Sequence, residues 1–304
     1  MASSLAITLR PFADGLSFIQ THKVHSTLFP YPWANTLHAA RISLAFHSLS
    51  SKQPTKLGWK THLAGFLVMS WGGMLFSHLL LSLPPPAILS VQPYINYLAV
   101  HLLLTAVFHA FPGLLEPEMM RTYDLVLFPL DALLRVNSIT STVSTLSPEA
   151  SPNYARIHPS LPSSPFFHLL LGAVASAGGG VTAVTFSTFS PNWSFSTPVF
   201  LRPGVGLLGT MDIWGGALVA GVFGVASGHS AFKGVVPAWI EGLMQVNVHV
   251  DGVEGEAKKL VLSQKGAKAL GALVLTTLFG YRAIMGWVNA QKVDARKPGQ
   301  KKKQ

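Results

Sequence analysis

Long uncharged apolar runs, separated by short turns rich in proline, serine and lysine, set the pattern of this chain. GFLVMSWGGMLFSHLLL and FFHLLLGAVASAGGGVTAV are apolar on all sides, whereas the helix of a soluble surface keeps a polar face. Runs of that kind predict membrane spans. Seven are read, at about Trp33–Leu49, His62–Leu83, Pro93–Phe111, Thr122–Leu146, Phe166–Phe186, Gly204–Ser227 and Ala267–Val288. Pro84-Pro85-Pro86 closes the second and Pro112-Gly113 the third, since proline cannot continue a helix. The Ser/Pro-rich stretch SPEASPNYARIHPSLPSSP must lie outside the bilayer, and the long connection 228–266 holds VPAWIEGLMQVNV, expected as an interfacial helix. The expected division is an N-terminal segment 1–25, a transmembrane domain 26–290 and a basic, disordered tail 291–304.

Two glycine clusters fall inside these spans: Gly72-Gly73 in the second and Gly178-Gly179-Gly180 in the fifth. Adjacent glycines weaken a helix and let other backbone or an ion come close. Their recurrence at corresponding places in two three-span units predicts two inverted repeats plus a seventh helix, with interrupted helices lining one pathway. The glycines from Gly215 to Gly224 are explained by helix packing alone.

Composition agrees with an all-α membrane protein: 49% of residues are hydrophobic, 11% charged, and mean hydropathy is +0.40. A soluble domain carries about a quarter charged residues. The absence of cysteine excludes disulfides, thiolate nucleophiles and cysteine metal sites. A net charge of +10 resembles that of a nucleic-acid binder only if its distribution is ignored. Much of the excess flanks apolar runs, at Lys52, Lys56 and Lys60 and in the tail from Lys292 to Lys303, as topology determinants do. No nucleic-acid partner is expected. The carboxyl end and the Lys52 loop are assigned to the cytosol, although Lys233, Lys258, Lys259 and Lys265 then fall on the other side.

Ionisable residues at membrane depth are candidate functional groups. The fourth span carries Asp124, Asp131 and Arg135, and the last two, four residues apart, share a helix face and can pair. That pair either stabilises packing or sets Arg135 in a wet cavity or against an anionic lipid head. Asp212 and Arg282 lack local partners. Asp212 is near the start of its span, where an interfacial position is the rival reading, and Arg282 is near a span end, where snorkelling suffices. The histidines show no HxxxH or HExxH spacing, so His62, His78, His101, His109 and His168 read as packing residues, with no metal site and no required cofactor. No G-x-S-x-G elbow or nucleotide loop is present, and no enzyme is expected.

The order of these motifs resembles the trimeric intracellular cation (TRIC) channels, from about Ser26 to Val288. STLFPYPWANTLHAARISLAF is similar to the family's lead into its first helix, WKTHLAGFLVMSWGGMLFSHLLL and GAVASAGGGVTAV to its second and fifth, TYDLVLFPLDALLRVNSI to its fourth and LRPGVGLLGTMDIW to the start of its sixth. The resemblance implies a homotrimer with one pore per subunit, conducting potassium as counter-ion for calcium release and uptake in the endoplasmic reticulum or nuclear membrane. It implies that Arg135 matches the family's arginine. Asp131-Ala132-Leu133 replaces the Lys-Glu-Val of animal members, and Ala177 the lysine before the fifth-helix glycines. Those basic residues hold a phosphoinositide head, so lipid gating is in doubt here while cation permeation is retained. Lys301 and Lys302 fit a cytosolic di-lysine retrieval signal, with a plain solvated tail as the rival. Two other functions stay open: an ion-coupled secondary transporter using Asp131 and Asp212, and a non-conducting membrane scaffold.

Overall fold

In the computed structural model, residues 2–235, 246–247, 259–260 and 262–296 are described. Among them the chain forms eight α-helices: α1 (Ala2–Thr21), α2 (Trp33–Ser50), α3 (Trp59–Leu80), α4 (Gln92–Ala110), α5 (Pro117–Val143), α6 (Pro165–Thr185), α7 (Met211–Ala226) and α8 (Gln264–Arg296). The one strand pairing among the described residues joins Val246–Asn247 to Lys259–Leu260, antiparallel.

Helix starts and stops follow local chemistry. Proline occupies the first turn of α4, α5 and α6, where a missing N–H costs nothing. Ser164 caps α6 by accepting from Phe167 N at 3.2 Å. α3 and α6 end alike: Ser82 and Ser187 take left-handed φ of 54° and 51°. The next N–H then reaches back five residues, Leu83 to His78 O and Thr188 to Ala183 O, each at 2.9 Å.

α3, α6 and the Gln264–Lys292 part of α8 are long and apolar enough to cross a membrane. α7 is apolar but has 16 residues, about 24 Å of helix against a hydrocarbon core of about 30 Å. α2, α4 and α5 carry polar residues that the fold gathers inside, as do α7 with Asp212 and α8 with Arg282. The outer faces are apolar: Leu79, Leu103, Val126, Phe166 and Ile284 are all exposed. Charge inside and hydrocarbon outside reverses the soluble arrangement and agrees with a membrane protein.

One buried cluster joins α1, α5, α7 and α8 around Ile139, Val219, Phe223 and Leu275, and a second joins α2, α3 and α4 around Phe46, Phe66 and Trp71. α6 meets α7 through small residues, with a Cβ on Gly172 colliding with Ala220 and one on Gly216 colliding with Ser176. α4 meets α3 through rings, Tyr94 and Tyr97 against Trp71 at 4.7 and 5.5 Å and His101 on Phe66 at 3.8 Å.

Residues 1–25, expected only as an N-terminal segment, hold α1, which packs Leu16 and Ile19 against α5 and α8. Two expectations are corrected. The tail does not begin at 291, because α8 continues to Arg296; residues 297–304, with Lys301 and Lys302, lie outside the described residues. Neither glycine cluster unwinds its helix: α3 and α6 run through them without a break. The intrinsic cost of glycine is offset by close packing of two backbones at that level. The expected interfacial helix spans 236–248, of which only Val246–Asn247, a strand, is among the described residues.

Candidate permeation site

The glycine clusters meet. A Cβ on Gly178 would stand 2.6 Å from Gly73 Cα, and one on Gly73 would stand 3.0 Å from Val174 O. One on Gly179 would collide with Met69 O. Only residues without a side chain allow α3 and α6 to approach this closely. Gly180 is different, since a Cβ there meets nothing within 4 Å. It borders a cavity of about 700 Å³ between α2, α3, α5, α6 and α7, along with Gly73, Gly179, Asp131, Arg135 and Asp212.

Asp131 does not pair with Arg135. Its carboxylate accepts from Arg41 Nε and Nη2, both at 2.6 Å, in a two-pronged contact across α2 and α5. Arg41 Nη2 also stands 3.4 Å from Asp124 Oδ1. Arg135 turns the other way. One guanidinium nitrogen donates to Ser176 O of α6, and Nη2 lies 3.3 Å from Asp212 Oδ1. The i,i+4 spacing permits a pair, but a fork aimed from a neighbouring helix makes two parallel hydrogen bonds where the local geometry offers one.

Asp212, in the first turn of α7, is shared by Arg135 and by Arg282 Nη1 at 3.0 Å. Arg282, read from the sequence as lacking a local partner, thus finds one across helices. The extension of α8 to Arg296 places it well inside the helix, where its guanidinium and that of Arg135 lie 4.5 and 5.3 Å from the ring of Phe279. Three guanidinium groups (Arg41, Arg135, Arg282) thus face three carboxylates (Asp124, Asp131, Asp212). The cluster is formally neutral.

From this cluster α5 presents Ser138, Ser141 and Thr142 to the cavity. Ser141 also borders a second cavity of about 930 Å³, formed by the Ser/Pro loop, the end of α7 and the start of α8. Its lining includes Ser144, Ser147, Glu149, His229, Lys233 and Lys268. Ser147 Oγ donates to Glu149 at 2.6 Å, which holds that carboxyl below its usual range. Ser138, Ser141 and Thr142 lie along one face of α5, and Ser141 borders both cavities.

Sequence reading missed two features. Arg41 stands out in its span only as an interruption, because nothing local reveals a partner 90 positions away. His47, His62 and His101 converge, with ligand atoms within 4.8 Å of one another. A signal did exist: His47 and His62 flank one turn between two helices, so they sit at similar depth. Compared with known proteins, the chain matches no family model, no curated protein and no solved structure.

Proposed function

We propose that this chain is a monovalent cation channel, conducting potassium through a pathway inside each subunit. The observation that carries the reading is the cavity inside the helix bundle, bordered by the Arg–Asp cluster and by Ser138, Ser141 and Thr142 of α5; Ser141 also borders a second cavity, lined by Ser144, Ser147, Glu149, Lys233 and Lys268. Hydroxyl oxygens can replace part of an ion's hydration shell, and paired charges present no large barrier to either sign. In this reading seven helices, α2 to α8, cross the membrane, with α2–α4 and α5–α7 as inverted repeats. The matching serine ends of α3 and α6, and their contact at the glycines, support that symmetry. The TRIC resemblance adds a homotrimer, an endoplasmic reticulum or nuclear membrane and a counter-ion role. A phosphoinositide headgroup fits poorly, because each guanidinium bordering the cavity already has a carboxylate.

Purified protein in planar bilayers tests the proposal. Discrete single-channel steps with a potassium reversal potential support it, whereas saturable stoichiometric flux indicates a transporter. Absence of both indicates a scaffold.

A further inference from the structure

Outside the cavity, three imidazoles from three helices meet near the α2–α3 turn: His47 of α2, His62 of α3 and His101 of α4. His47 and His101 are buried and His62 is partly exposed. Their ring centroids lie 4.9 to 5.0 Å apart in all three pairings.

The hydrogen bonds around them direct lone pairs. Thr105 Oγ1 donates its one proton to His101 O at 2.7 Å, so at 3.0 Å it accepts from His47 Nε2. His47 is then the Nε2–H tautomer, with its lone pair on Nδ1. His101 Nδ1 is engaged by Ser43 Oγ at 2.8 Å, which leaves Nε2 to face His62 Nδ1 at 3.2 Å. Adjacent nitrogens of a tetrahedral zinc site lie about 3.3 Å apart, from zinc–nitrogen bonds of about 2.0 Å. One ligand nitrogen from each of the three rings lies within 4.8 Å of the other two. Metal-binding imidazoles commonly anchor their other nitrogen on a protein oxygen, as Thr105 and Ser43 do here. Phe46, Phe66 and Trp59 enclose the rings in an apolar shell.

We infer that His47, His62 and His101 form a binding site for one divalent transition-metal ion of the zinc class. Neutral imidazoles suit such ions better than they suit calcium or magnesium, which take oxygen ligands. Three protein ligands leave a fourth position for water. Before binding, one proton bridges His62 Nδ1 and His101 Nε2. On binding it moves to the other nitrogen of the ring that carries it, so the imidazoles release no net proton. The bound ion fastens the α2–α3 hairpin to α4.

The test uses the full chain in detergent, with any histidine tag removed, titrated with Co2+. Visible d–d bands of tetrahedral cobalt should saturate at one equivalent per chain and vanish on adding Zn2+. His62→Gln, at the partly exposed position, should weaken cobalt binding at least about tenfold while elution on size exclusion is unchanged. X-ray absorption of the zinc-loaded parent, which needs no variant, should count three imidazole ligands. Absence of cobalt bands in the parent, equal binding by His62→Gln, or fewer than three imidazoles would each overturn the inference.

Discussion

At the scale of single residues, charge pairing decides behaviour. Arg41 is held by Asp131 through two 2.6 Å contacts, and Asp124 is a distant second partner. Asp131→Asn therefore leaves a cation at the cavity wall rather than removing an anion alone. Single-channel recording should show lower cation conductance, and Arg41→Gln added to it should restore most of the loss. Equal currents in parent and single variant would mean the pair lies off the path. Asp212 presents a different case, because two guanidinium groups share it. Removing either Arg135 or Arg282 leaves the other in place, whereas removing both strands the carboxylate. Thermal unfolding of Arg135→Gln, Arg282→Gln and the double variant should give a coupling on the order of 1 kcal/mol, with the double worse than the sum. Strict additivity would show that the two do not share a partner.

At the scale of elements, the contact between α3 and α6 makes neighbouring glycines respond oppositely. Gly178→Ala places a methyl 2.6 Å from Gly73 Cα, backbone that cannot rotate away. Overpacking of that kind costs about 1–3 kcal/mol. Gly180→Ala meets nothing within 4 Å and gains up to about 1 kcal/mol of helix propensity. Melting of the two variants in one detergent should move in opposite directions. A parallel response would mean that the helices do not touch where described. The same packing explains why weak helix formers sit in unbroken helices here. Glycine was legible as a special position, but not as a notch, because the notch exists only when a second backbone fills it.

At the scale of the whole molecule, apolar exteriors and an inward-facing charge cluster are compatible with a multi-pass membrane protein. The basic residues of the α2–α3 turn and of the chain's end predict that both face the cytosol. A carboxyl-terminal tag should then be removed by protease added to sealed microsomes. Protection of the tag would reverse the orientation. α1 adds an eighth helix, and its packing on α5 and α8 ties it to the cavity wall. Gln20 Nε2 donates to Asn137 Oδ1, and Asn137 borders the cavity.

The sequence alone determined that helices α2 to α8 exist and their order, because apolar length, proline stops and turn residues are local properties; one end of each of α5, α7 and α8 lies five to eight residues from the expected bound. It also singled out Asp131, Arg135 and Asp212, since charge within apolar sequence is conspicuous wherever the helix ends up. Only the tertiary structure decided who meets whom. Arg41 takes Asp131, Arg282 joins Asp212, and three histidines from three helices converge. Those partners depend on how each helix is rotated and set against its neighbours. α1 was legible in part, since its apolar residues gather on one helical face, but only the tertiary structure shows that Leu16 and Ile19 of that face pack against α5 and α8.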